Sequence, residues 1–334
     1  MYNTQVLRSK FPHHPGYSPQ DIAAALPEHS PNPPSLANRE RFNNAAVRLA
    51  IVKLAKRTCP GHAGLRPEHL KALVNKLSRD ADTLVDKYAS YLHLYFHGML
   101  PHDCYTILHQ TALLVITTAP PVDLHVAGTT RTLQDLRPIA MFSTDAKLAE
   151  AVGLRMDREA IMEHLGTRST GQLERGMEYN SHVIRLGLHR GLSIIIGDRV
   201  NAFGTLPRLP AYSKVATLLP GWSNYLHSVM HTDTALVGQG PSPDQLIHLP
   251  FKTGVPQGAP LSAPCFSIAD LDLVNHLHNE TSSASLVMPG SAHGYLDDLV
   301  ITTDPEETVH MVRCLQQQVQ QSGSILATAS GKSP

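Results

Sequence analysis

Cysteine is scarce. The 334 residues hold only Cys59, Cys104, Cys265 and Cys314, and no two stand at the two-residue spacing of a zinc knuckle or redox pair. That excludes a disulfide scaffold and leaves free thiols in a reducing compartment. An excess of one charge is also missing: 28 Lys/Arg face 28 Asp/Glu. Net charge therefore gives no vote for a nucleic-acid partner. No apolar run approaches the roughly 18 residues that a membrane helix needs, so no membrane partner is expected. The first twenty residues carry no apolar core of the secretory-signal kind. With 42% apolar and 17% charged residues, the chain is too apolar for intrinsic disorder.

What is present is unevenly spread. Residues 41–80 hold nine Lys/Arg against two Asp/Glu, while residues 281–310 hold five Asp/Glu and no Lys/Arg. The first stretch would attract phosphate and the second a cation. At roughly 100–200 residues per domain, the length suits two domains or one with a subdomain. Residues 1–40 carry seven prolines and read as a flexible tether. A helical region is expected over 41–190 and a sheet-bearing region over 191–334.

The periodicity predicts a helix from Arg41 with Phe42, Ala46, Ala50 and Leu54 on one face. A second follows Pro67, with Leu70, Leu73, Val74 and Leu77. A third runs near 82–97, with Leu84, Tyr88, Leu92 and Tyr95 inward. Strands are expected at 111–119, 137–141, 192–198 and 324–329, with hairpins at 235–252 and 293–303. Long helices are expected at 145–164, 261–278 and from 304 to Gly323, the last with Val309, Val312, Leu315 and Val319 inward. Helices first and strands interleaved later make an α+β chain, its sheet mostly antiparallel with helices on one face.

Three segments carry chemistry. In IIIGDRVNAF (194–203) an apolar strand delivers Asp198 at its end. In TGVPQGAPLSAP (253–264) a Gly/Pro loop enters a helix, which lets backbone approach a ligand closely. In YLDDLVI (295–301) Asp297 and Asp298 sit side by side between apolar residues. Like charges so close oppose each other's ionisation unless a cation offsets them, and a hard divalent ion is the natural remedy. If the Asp198 strand lies beside the 295–301 hairpin, Asp198 and Asp297 converge. That suits two metal ions about 3.5–4 Å apart clamping a phosphoryl displacement. Taken singly, an Asp-Asp pair is usually a polar turn, a Pro-Gln-Gly is a turn, and a strand-terminal Asp is often a helix cap. Their order together is harder to obtain by chance.

The ordered set LRPIAMFSTDAKLAE (136–150), GDRVNAF (197–203), GVPQGAPLSAP (254–264), YLDD (295–298) and SGKSP (330–334) resembles a reverse transcriptase. It is most similar to the polymerases of non-LTR, LINE-type retrotransposons. CPGHAGLRPEHLKAL (59–73) resembles that group's lead-in, with Ala63 where the group carries Asp. The resemblance covers residues 41–334 and implies right-hand polymerase fingers and palm, with an antiparallel palm sheet backed by helices.

It further implies Asp198, Asp297 and Asp298 as ligands of two Mg2+ ions, with Mn2+ as a substitute. Phe203 would lie under the sugar and exclude a 2′-hydroxyl. Gln257 and Gly258 would support the incoming nucleotide, and Arg137 and Lys147 would lie near its triphosphate. Lys332 would protonate the pyrophosphate leaving group, and Tyr295 would open the hairpin near the primer end. The implied partners are an RNA template, a primer strand and a dNTP. The match stops at Pro334, so a thumb is expected to be absent and the chain to be a fragment of a larger polyprotein or a truncated copy. An RNA-dependent RNA polymerase shares the palm, but Phe203 and Pro-Gln-Gly argue against it. The basic 41–80 stretch leaves a non-catalytic nucleic-acid-binding remnant as the reading from another class.

Overall fold

The computed structural model describes residues 16–26, 41–56, 60–61, 64–75, 80–109, 111–117, 136–232, 235–239, 246–283 and 290–327. Cys59, Ala63, Leu77 and Lys332 lie outside the described residues. In chain order the helices are α1 (Pro19–Ala25), α2 (Asn44–Lys53), α3 (Pro67–Leu73), α4 (Ala81–Phe96), α5 (His102–Leu108), α6 (Thr144–Met156) and α7 (Arg158–Leu165). There follow α8 (Gly176–His189), α9 (Ala202–Thr205), α10 (Arg208–Leu218), α11 (Ser223–His231), α12 (Ser262–Ser283) and α13 (Thr308–Gln321). The strands are β1 (Thr111–Thr117), β2 (Leu136–Met141), β3 (Ser193–Gly197), β4 (Ala235–Gln239), β5 (Leu246–Pro250), β6 (Ser291–Tyr295) and β7 (Asp298–Thr303). The chain is α+β. No described helix is long and apolar enough to cross a membrane.

Two compact units divide the chain, each built from two segments. One holds Met1–Asp157 with Leu219–Leu261, the other Arg158–Leu218 with Ser262–Pro334. The first unit carries a four-stranded sheet in the order β2-β1-β4-β5. Its β1–β2 and β4–β5 pairs are antiparallel, while β1–β4 is parallel. Its core mixes aliphatic side chains with an aromatic cluster. Phe96 stacks on Tyr225 with ring centroids 5.5 Å apart and meets Trp222 edge-on at 4.9 Å.

Local differences from the periodicity have identifiable causes. Within the Pro-rich first 40 residues, Ser18 and Asp21 form a capping box that starts α1. Ile22 and Leu26 are buried, so this part of the segment is folded. On α4 Leu92 and Tyr95 are buried as expected, together with Val85, Ala89 and Phe96, while Leu84 is exposed. Tyr88 sits at the flank because its hydroxyl hydrogen-bonds Asp145. The expected helix over 145–164 is broken at Asp157, whose carboxylate accepts from the Arg41 guanidinium and from Trp222 Nε1, each at 2.7 Å.

The second unit carries a three-stranded, wholly antiparallel sheet in the order β3-β7-β6. Alternation sends Ala292, Leu299 and Ile301 to one face. There they pack with Leu273, Val274 and Leu277 of α12 and with Met311, Leu315 and Val319 of α13. The inward stripe of α13 therefore starts at Met311, and Val309 is exposed. The opposite face is covered in part by α8: a Cβ at Gly187 would meet Ile194 and Thr302, and Tyr179 meets His293 edge-on. Helices thus flank this sheet on both faces, where the sequence reading placed them on one.

Candidate functional site

The β3–β7 register runs from Ser193↔Thr303 to Gly197↔Leu299. One further step sets Asp198 level with Asp298. The β6–β7 ladder closes at Tyr295↔Asp298, which leaves Leu296 and Asp297 as a two-residue turn. Asp198, Asp297 and Asp298 therefore share one end of the sheet. Asp198 and Asp298 are exposed and Asp297 is half-buried. The turn places Leu296 in the left-handed region, at φ 55°. A branched side chain occupies that region at a cost of about 1–2 kcal/mol, and such positions concentrate at functional turns.

Both flanks of this end are held. Gly294 N–H donates to Arg168 O (2.7 Å) and Thr170 Oγ1 to Gly294 O (3.1 Å). A Cβ on Gly171 would come within 2.9 Å of Leu296 N, so only glycine fits against the turn. On the other flank, Val200 N–H donates to Ile325 O and Ala327 N–H to Asp198 O, both at 2.8 Å. The expected strand at 324–329 is, within its described residues, a single bridge between Arg199 and Leu326. Its peptide groups fix the backbone around Asp198 instead of extending the sheet.

Beside Asp198, the next side chain turns inward. Arg199 Nη1 donates to Asp270 Oδ1 at 2.7 Å, and its Nη2 to Asp270 Oδ2, in a buried fork. The guanidinium lies 5.1 Å from the Phe266 ring centroid. Phe203 stacks on the other partner of this pile, Phe266, at 4.8 Å and 28°. A chain of contacts from Asp270 through Arg199 and Phe266 thus sets the half-buried Phe203 ring. Sequence reasoning singled out Phe203 but missed Arg199, Phe266 and Asp270. The available signal was an acid inside the apolar α12 run CFSIADL, which a buried position requires to be paired.

The remaining sequence candidates lie in the first unit. Gln257 O accepts from Ala140 N–H (2.8 Å), so the Pro-Gln-Gly loop lies along β2, the strand that carries Arg137. Gly258 has φ +112°, and a Cβ there would fall 2.6 Å from Ala140 O. Lys147 is half-buried on α6. Three residues on from it, Glu150 holds the far end of the loop: its Oε2 accepts from Leu261 N–H (2.9 Å) and its Oε1 from the Tyr225 hydroxyl (2.7 Å). Burial pushes the Glu150 carboxyl up to about 7, against the pull of those two donors. Burial also raises Asp145, which the Tyr88 hydroxyl pulls down. The two sets of candidates thus belong to different units: the aspartates and Phe203 to one, Arg137, Lys147, Gln257 and Gly258 to the other.

Among the described residues, no group of three or more His, Cys, Asp or Glu is arranged to hold a metal ion. Carboxylate oxygens at the solvent-facing end of a sheet nevertheless suit Mg2+, which is usually bound by one or two carboxylates, waters and substrate phosphates rather than by an all-protein cage.

The chain matches no family model and no curated protein. Fold and site together define an α+β chain with aspartates gathered at one end of a helix-flanked antiparallel sheet.

Proposed function

We propose that this chain is the fingers-and-palm core of an RNA-directed DNA polymerase, acting on a primer strand, an RNA template and dNTPs. The observation that carries the reading is the β3–β7–β6 register, which puts Asp198 beside the Tyr295–Asp298 hairpin although 99 residues separate Asp198 from Asp297. Asp198, Asp297 and Asp298 would hold two Mg2+ ions. Bound there, the ions supply Lewis-acid stabilisation of the charge that develops on the transferring phosphate. The chain's own residues position the reactants. Phe203, whose ring stacks on Phe266, is assigned to sugar selection, and the Pro-Gln-Gly loop to backbone contact with a nucleotide. Such positioning is a major source of rate in phosphoryl transfer.

The non-catalytic nucleic-acid-binding reading rests on the basic stretch 41–80. Part of that charge has internal partners: Arg41 pairs with Asp157, and Arg48 with Asp82. Primer extension on an RNA template with Mg2+ and dNTPs decides between the readings. Extension that Asp297→Asn abolishes, with the thermal midpoint unchanged, supports the polymerase. Salt-sensitive RNA binding without any extension supports the remnant, and extension with rNTPs alone supports an RNA polymerase.

A further inference from the structure

One site stands apart from the aspartates and does not depend on the polymerase reading. Helix α11 buries Tyr225, Leu226 and Val229. Its other side carries His227 and His231, one turn apart, His227 half-buried and His231 exposed. Their Nε2 atoms face each other at 3.1 Å, and the ring centroids lie 4.2 Å apart.

That separation has a chemical meaning. With metal–nitrogen bonds of about 2.0–2.1 Å, two nitrogens 3.1 Å apart subtend roughly 95–100° at a shared metal. The angle lies between the 90° of a tetragonal site and the ~109° of a tetrahedral one. The chelate would replace the hydrogen bond between the two Nε2 atoms. His231 is also the last residue of α11. A cation there meets the negative end of the helix dipole.

We propose that His227 and His231 form a bidentate imidazole site for a divalent transition metal such as Zn2+, Ni2+ or Cu2+, with water filling the other positions. Imidazole nitrogen selects these metals, while Mg2+ prefers oxygen ligands. The site is therefore chemically separate from the aspartates of the second unit. Two protein ligands leave coordination positions open, so the bound metal remains accessible to exogenous ligands.

Residue-resolved footprinting tests the proposal on the full chain. Diethylpyrocarbonate modifies accessible imidazoles, and mass spectrometry reads each histidine separately. Added ZnCl2 should slow modification of His227 and His231 together by several-fold, while equal MgCl2 should leave both unchanged. In His231→Ala, zinc should no longer protect His227, and in His227→Gln it should no longer protect His231. His248, exposed on β5, serves as the control and should react alike throughout. Circular dichroism confirms that each variant is folded. Absence of zinc protection in the wild type overturns the site. So does protection of His227 that persists in His231→Ala, because a single imidazole would then suffice.

Discussion

Glu150→Gln should make the protein more stable at alkaline pH, although it removes a residue with two good hydrogen bonds. The side chain is 3% exposed, and burial holds its carboxyl at about 7 instead of the ordinary 4.5. At about 1.4 kcal/mol per tenfold change in proton affinity, that difference corresponds to about 3 kcal/mol. The sign follows from which state binds the proton. Between pH 4.5 and 7 the native chain keeps it and the unfolded chain has released it, so stability falls as pH rises through this window. The contribution is fully present below pH 4.5 and lost above pH 7. Glutamine imitates the protonated form. Its oxygen can accept from Leu261 N–H, and its amide can donate to the Tyr225 oxygen. Asp145, raised by burial, adds a dependence of the same sign. His97, lowered to about 4 by burial and by the His93 and Arg41 charges, works the other way, with stability rising from about pH 4 to 6.5. Both effects cancel in the difference between wild type and variant. Urea unfolding at pH 4.5, 6 and 8 should give nearly equal stabilities at the lowest pH. At pH 8 the variant should be the more stable by up to about 3 kcal/mol. A gap that does not change with pH, or a variant weaker at pH 8, would refute the reasoning.

Asp270→Ala should cost about 3–5 kcal/mol in denaturant unfolding, because it strands the buried Arg199 charge; a loss below 1 kcal/mol would show the pair to be solvated. Gly171→Ala should lower stability by about 1–3 kcal/mol, since its Cβ would press on the Leu296 backbone, and an unchanged thermal midpoint would contradict the close approach. In primer extension, Phe203→Val should raise rNTP incorporation relative to dNTP. An unchanged ratio would remove Phe203 from sugar selection. Binding to an RNA–DNA hybrid should weaken steeply from about 50 to 200 mM salt, by filter binding, and salt-insensitive binding would exclude phosphate contacts as its main source.

Much of the secondary structure was legible because it rests on local pattern. The run TALLVIT is apolar and β-prone, and β1 occupies it. The paired apolar runs around Leu296-Asp297 close as a hairpin. Other elements gave weaker signals. Helix α10 contains Pro210, which reads as a breaker but sits in the first turn, where its missing N–H costs no hydrogen bond. Of the expected α4 stripe, Leu92 and Tyr95 are buried, whereas Leu84 is exposed and Val85 and Ala89 take the buried positions of the first turns, because only the neighbouring helices choose the buried side there.

The sequence by itself determined where most of the described strands and turns form, which residue types stand at their ends, and that the fold mixes helix with mostly antiparallel sheet; the strand expected at 324–329 is the exception. Those properties depend on neighbours within one turn or one strand. The tertiary structure alone decided which ends meet. Register brings Asp198 level with Asp298, Arg199 finds Asp270 from 71 residues away, and Glu150 reaches Leu261 across 111. No spacing rule encodes such pairings. They are settled when burial of the apolar faces fixes the sheet and helices in place, after which each buried charge or peptide group must take the partner that lies within reach.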